Sequence, residues 1–172
     1  MRTKVPTRIV SYGAVNRVSG FTLLEIMTVM VIGGILAAIS MPYFLSRATA
    51  AKQAEGKMLV GTMNRAQQAY YTQNSKFSDT VDALALNLRS NNYTLVVRPG
   101  NAESTYAANH ATSKHIKVRS YVGMSAIVQD TSGNLSMETV LCESLSPGSV
   151  EATKPTYTTA TVDCAPGTQR LK

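Results

Sequence analysis

Ser19-Gly20-Phe21-Thr22-Leu23-Leu24-Glu25 opens directly onto an apolar run, and no charged residue occurs from Ile26 through Ser46. Those 21 positions span roughly 31 Å as a helix, about the thickness of a bilayer's hydrocarbon core. One carboxylate, Glu25, stands at the lip of the run. The charges before it are Arg2, Lys4, Arg8 and Arg17, all basic.

The helical pattern does not stop at Ser46. Ala48, Ala51, Ala54, Met58, Leu59, Thr62, Met63, Ala66, Ala69 and Tyr70 recur at steps of three and four, with Lys52, Gln53, Glu55, Lys57, Asn64, Arg65 and Gln67 between them. This is the period of a helix with one dry face. One helix is therefore expected from about Thr22 to about Gln73, apolar all round in its first half and amphipathic in its second. Its length would be roughly 75–80 Å, too long to bury in one small domain. Half of it needs lipid or further copies of itself. A secretory signal peptide cut at Ala48-Thr49-Ala50 is the weaker reading, because its apolar core would be shorter and the helix crosses Ala50 unbroken. An uncleaved single-pass anchor is another. Gly33-Gly34 and Pro42 are weak points in the helix: glycine costs roughly 1 kcal/mol relative to alanine, and proline cannot bond the carbonyl of Ala38.

Beyond Gln73 the pattern turns to strands. Asn74–Thr80 reads as a polar loop and Val81–Leu86 as a short helix or turn. In the Tyr93–Arg98 run, Tyr93, Leu95 and Val97 share one face. Asn101–Ser113 reads as a polar stretch. Ile116–Arg119 and Val122–Gln129 read as one or two strands, and Asp130–Asn134 as a hairpin connection. From Asn134 to Cys142, Leu135, Met137, Thr139 and Leu141 alternate onto one side. The tail from Ser144 is rich in Ser, Thr, Pro and Gly, with Cys164 its only obvious anchor. The expected fold class is α+β: a long N-terminal helix packed on a small antiparallel sheet of about three or four strands, with a C-terminal disulfide loop.

Charge and cysteines set the compartment. The formal charge is +7 from 17 basic and 10 acidic residues. Four of the basic residues precede Glu25, and without them 13 remain against 10, a formal +3. The basic balance is thus weak ground for nucleic-acid binding. Basic residues before an apolar span stay cytoplasmic, which puts the rest of the chain on the far side. That side is oxidising. Cys142 and Cys164, with 21 residues between them, are there expected to form a disulfide rather than two separate buried thiols, worth roughly 3 kcal/mol.

Basic leader, Gly-Phe junction, lone acid and apolar helix together resemble the prepilin signature of type IV pilins. The resemblance covers residues 19 to 45 most specifically. Asn64-Arg65-Ala66-Gln67-Gln68-Ala69-Tyr70-Tyr71 and Cys142-Glu143 are also similar to cyanobacterial major pilins. It implies a leader at 1–20, a transmembrane or filament-core helix at 21–46, an amphipathic half at 47–73, and a head at 74–172 with a disulfide loop at 142–164. It implies cleavage between Gly20 and Phe21 by a prepilin peptidase, which also methylates the Phe21 amine. Glu25 is implied to pair with the Phe21 amine of a neighbouring subunit, and the segment between Gly33-Gly34 and Pro42 to melt on assembly. The implied partners are other copies in a helical filament, an inner-membrane assembly platform, and membrane lipid beforehand. The implied location is the inner membrane, N-terminus cytoplasmic and head periplasmic, then an extracellular pilus serving motility, adhesion or DNA uptake. A pseudopilin of type II secretion, or a minor pilin acting as adhesin or DNA receptor, shares the same N-terminal pattern.

An enzyme is not expected, and neither is a cofactor or metal. His110 and His115 are five apart, off the spacing of a helical metal pair, and read as solvated. No phosphate loop, nucleophile elbow or paired-acid motif occurs. Arg98, Lys114, Lys117 and Arg119 read as a solvated strand face rather than a nucleic-acid patch.

Overall fold

Thr22 starts the helix that the apolar run demands. Its Oγ1 accepts a hydrogen bond from the Glu25 amide at 3.2 Å, a side-chain cap that satisfies one of the donors orphaned at a helix start. The helix that follows, α1, runs Leu23–Asn74. The computed structural model describes residues 20–100 and 105–171, so the expected leader lies outside the described residues except for Gly20. The chain divides into two units, Met1–Pro42 and Tyr43–Lys172.

In the first unit every described residue is exposed. The hydroxyls within the apolar run satisfy themselves locally. Thr28 Oγ1 donates to the Glu25 carbonyl at 2.9 Å and Ser40 Oγ to the Leu36 carbonyl at 2.8 Å, the back-bonding open to a hydroxyl within a helix. The helix continues through Gly33, Gly34 and Pro42.

In the second unit, α1 buries Gly56, Leu59, Val60, Met63, Asn64 and Gln67, at the spacing of one helix face. This face is rotated from the expected one. Ala51, Ala54 and Met58 are exposed, whereas Asn64 and Gln67 go inward because the sheet supplies their partners. Ser75, at φ 53°, turns the chain out of the helix, the left-handed exit that ends many helices. A single 3₁₀ turn, Asp82–Leu84, follows.

Four long strands come next: β1 (Tyr93–Pro99), β2 (Tyr106–Ser113), β3 (Tyr121–Gln129) and β4 (Leu135–Ser144). A short pair, β5 (Thr156–Tyr157) and β6 (Val162–Asp163), and a last strand, β7 (Thr168–Arg170), complete the chain. The main sheet has the order β1-β2-β3-β4-β7, and β5 pairs with β6 apart from it. All pairings are antiparallel. The sheet is thus five-stranded, with a two-stranded ribbon beside it. The extra strands come from stretches that looked polar. In β2, Ala107, Ala108 and Ala111 are fully buried, small enough to lie between two covering layers. Conversely, Ile116–Arg119 is a turn, closed by the Val118 amide on the His115 carbonyl at 3.2 Å.

The register explains the layering. Leu141, Gly123, Asn109 and Val97 lie in one row, and Glu143, Tyr121, Ala111 and Leu95 in the next-but-one. Both rows face α1. The alternate rows, Val140-Met124-Ala108 and Cys142-Val122-His110, face the other way and pack with Ala152 and Val162 of the tail. β4 was expected to be dry on one side only. In fact Val140 and Cys142 are buried on the second side, and Leu135 is 71% exposed. The tail does not hang from one cysteine. Tyr157 Oη donates to the Ile127 carbonyl at 2.9 Å, and the Gln129 amide donates to the Thr159 carbonyl at 2.7 Å. The Cys142–Cys164 disulfide, with Cα atoms 5.8 Å apart, ties the tail to β4.

Candidate functional site

The residues marked by the sequence gather at the start of α1. Gly20 has nothing within 4 Å of where a Cβ would stand, and Phe21 is 76% exposed. Thr22 does the capping, so Glu25 is not needed for it. Among the described residues the Glu25 carboxylate makes no hydrogen bond or ion pair, while its amide and carbonyl serve Thr22 and Thr28. Leu24, Met27, Val31 and Ile35 are 73%, 58%, 63% and 58% exposed. Gly33 and Gly34 have open space where a side chain would go. No contact among the described residues requires glycine there, and the Pro42 ring leaves the Ala38 carbonyl without its usual donor.

A second constellation locks the amphipathic half of α1 to the head. Glu55 receives hydrogen bonds from Ser90 Oγ and Asn92 Nδ2, each at 2.6 Å. These two bonds hold its carboxyl below the usual range against burial, with Lys52 adding to them. Asn64 Nδ2 donates to the Val140 carbonyl at 3.0 Å and Asn109 Nδ2 donates to Asn64 Oδ1 at 2.8 Å. Gln67 spans the Ser78 backbone, donating to its carbonyl at 3.1 Å and accepting from its amide at 2.9 Å. Every polar member of this buried set has a partner, the condition under which such a network fixes one packing. Glu143 accepts from Tyr121 Oη and Gln169 Nε2, both at 2.8 Å, with the Arg119 guanidinium at 3.2 Å. Burial pushes the Glu143 carboxyl up, but these bonds and the charges of Lys57 and Arg119 hold it below the ordinary value. Burial and Glu143 push the Tyr121 hydroxyl up in turn.

The other charged candidates disperse. His110, expected in solvent, is 1% exposed beneath the tail. Its Nδ1 lies 3.1 Å from Glu151 Oε1, yet neither ring nitrogen has hydrogen-bond geometry to a partner. Arg98 forks onto Glu151, Nε to Oε1 at 2.6 Å and Nη2 to Oε2 at 2.8 Å. With Arg119 paired to Glu143, two of the four cations considered as a patch are neutralised. His115 is half-buried, its Nε2 3.0 Å from Asn92 Oδ1 and 3.3 Å from Lys52 Nζ. The sequence marked the N-terminal residues but missed Glu55, Asn64, Gln67 and Glu143. Only the regular spacing of Asn64 and Gln67 with Val60 and Met63 hinted that they share a face.

These features have relatives. Residues 53–165 match the family described as type IV pilin-like G and H, and residues 15–41 match the prokaryotic N-terminal methylation motif. The type IV major pilin protein PilA of Myxococcus xanthus (strain DK1622) is 40% identical over 60 residues, covering 35% of this chain and 27% of that protein. The match thus spans about a quarter of that curated relative's length. No solved structure matches the chain. With the family match covering well over half the chain, from the amphipathic half of α1 through the disulfide loop, the chain belongs to the type IV pilin-like family.

Proposed function

We propose that the chain is a prepilin whose mature form is a structural subunit of a type IV pilus. A prepilin peptidase cuts between Gly20 and Phe21 and methylates the Phe21 amine. Before assembly the subunit spans the inner membrane once, N-terminus cytoplasmic and head periplasmic; afterwards it is part of an extracellular filament serving motility, adhesion or DNA uptake. The observation that carries this reading is the uncovered helix. Its apolar run is long enough to cross a membrane, and among the described residues nothing buries its most apolar window. Such a surface in water would cost about 25 cal/mol per Å², so it is covered first by lipid and then by other copies. Helix packing replaces lipid contacts at little hydrophobic cost. Ala51, Ala54 and Met58, turned away from the sheet, extend the contact into the amphipathic half.

Glu25 supplies register. A carboxylate in an apolar bundle is costly unless paired, and Thr22 has already taken the capping role. The Phe21 amine of a neighbouring subunit is the complementary charge. Glu25→Ala is expected to leave a processed, membrane-inserted protein that forms no surface filaments. Wild-type filament yield from that variant would refute the pairing.

A further inference from the structure

The turn at residues 114–118 stands against the first turns of helix in the second unit. Ile116 at its tip is 76% exposed. It lines a groove of about 330 Å³ together with Leu45, Ala48, Lys52 and Lys117. No acid lines this groove, and Arg47 is exposed nearby in sequence. Glu55, one turn further along the helix, is already held by Ser90 and Asn92. An apolar floor, an apolar tip and cations thus share one small surface, with the Lys52 ammonium also 3.3 Å from His115 Nε2 and acting on the Glu55 carboxylate one turn on.

Its position says what covers it. Tyr43 and Phe44, 74% and 72% exposed, end the apolar run, and tyrosine is a residue type enriched at the membrane–water boundary. Leu45 follows them directly and forms one wall of the groove. Lys52 lies seven residues on, roughly 10 Å along the axis, and the headgroup layer adds roughly 5–8 Å on each side of the hydrocarbon core. Helical side chains lean toward the N-terminus, and the Lys52 ammonium, 3.3 Å from His115 Nε2, lies within a side chain's reach of that layer.

We infer that this groove seats an anionic phospholipid headgroup while the subunit waits in the membrane. Ile116 enters the boundary between headgroups and acyl chains, and the ammonium groups of Lys52 and Lys117 take the lipid phosphate. The head is thereby held on the bilayer by a contact that must break when the subunit leaves for the filament. The inference rests on the membrane-spanning reading of the first unit.

The chain contains no tryptophan, so Ile116→Trp introduces a single reporter. The full-length variant is reconstituted in vesicles of phosphatidylcholine, with or without phosphatidylglycerol, carrying brominated acyl chains. Quenching of the reporter is expected with phosphatidylglycerol and much less without it. Charge removal by Lys52→Gln and Lys117→Gln should lower the docked-to-undocked ratio roughly fivefold per lysine. A parallel Ile32→Trp variant reports the span itself. If the Ile32→Trp reporter is quenched and the Ile116→Trp reporter stays aqueous, the groove does not bind lipid and the spanning helix stands. If neither is quenched, both readings fall. Quenching independent of headgroup charge, or shielding that grows only with protein-to-lipid ratio, as a second copy would give, also overturns the inference.

Discussion

Gly123 lies at a close approach of α1 to the sheet. A Cβ there would lie 2.5 Å from Asn64 Oδ1 and 2.6 Å from Val60 Cγ1. Asn64 cannot swing away without abandoning Val140 and Asn109, so the clash has no cheap outlet. Gly123→Ala should destabilise the head by about 1–3 kcal/mol, the usual cost of overpacking, measured by urea unfolding in detergent. Unchanged stability would show that the helix can lift from β3. His110 offers a pH-dependent counterpart. Burial lowers its affinity for a proton, with Arg98 and Lys154 acting in the same direction and the Glu151 carboxylate opposing them. In the unfolded chain it protonates near about 6.5, while in the folded head it does so only at lower pH. Between those values the unfolded state binds more protons, so stability falls as pH falls. The His110→Gln head should lose less stability than wild type below about pH 6.5. A wild-type head that gains stability on acidification would mean the Glu151 pair prevails. Neither site was legible beforehand. A glycine in a strand run and a histidine in a polar stretch show nothing of what lies above them.

The secondary elements were legible where one periodicity ruled. The helix ends fall within one residue of those expected, because a 21-residue uncharged run and a three-four repeat admit no other conformation. β1, β3 and the Asp130–Asn134 connection followed from alternation and turn chemistry. β2 was not legible. It is covered on both faces by layers distant in sequence, so its alanines and its buried Asn109 and His110 carry no alternation. The rotated dry face of α1 has the same cause: Asn64 and Gln67 are polar residues whose partners the sheet provides. Within α1, we propose that the segment from Gly34 to Pro42 is helical in the membrane and partly melted in the filament. Open space at both glycines and the missing donor at Pro42 make it the weakest stretch of hydrogen-bonded backbone in the run. A filament density map should show broken helix there, and continuous helix from Phe21 to Gln73 would contradict the proposal.

Taken together, the chain joins an apolar helix that no described residue covers to a sheet covered on one face by the amphipathic half of α1 and on the other by the tail. The polar ties at Glu55, Asn64 and Gln67 keep the amphipathic half of α1 with the head, Glu143 ties β4 to β3 and β7, and the cross-link at Cys142–Cys164 holds the tail against the sheet. On the proposed reading, that division of labour lets one surface change partners from lipid to sibling subunits without disturbing the other. The N-terminal part was the most legible in the sequence because its chemistry is local; the head's surface, which decides what a filament would do, was the least. The most direct test is the intact mass of the protein sheared from the cell surface. It should correspond to a chain beginning at Phe21, one methyl group heavier and two hydrogens lighter than the reduced, unmodified peptide. A mass retaining residues 1–20, a chain beginning beyond Ala50, or absence of the protein from the sheared filaments would contradict the pilin reading.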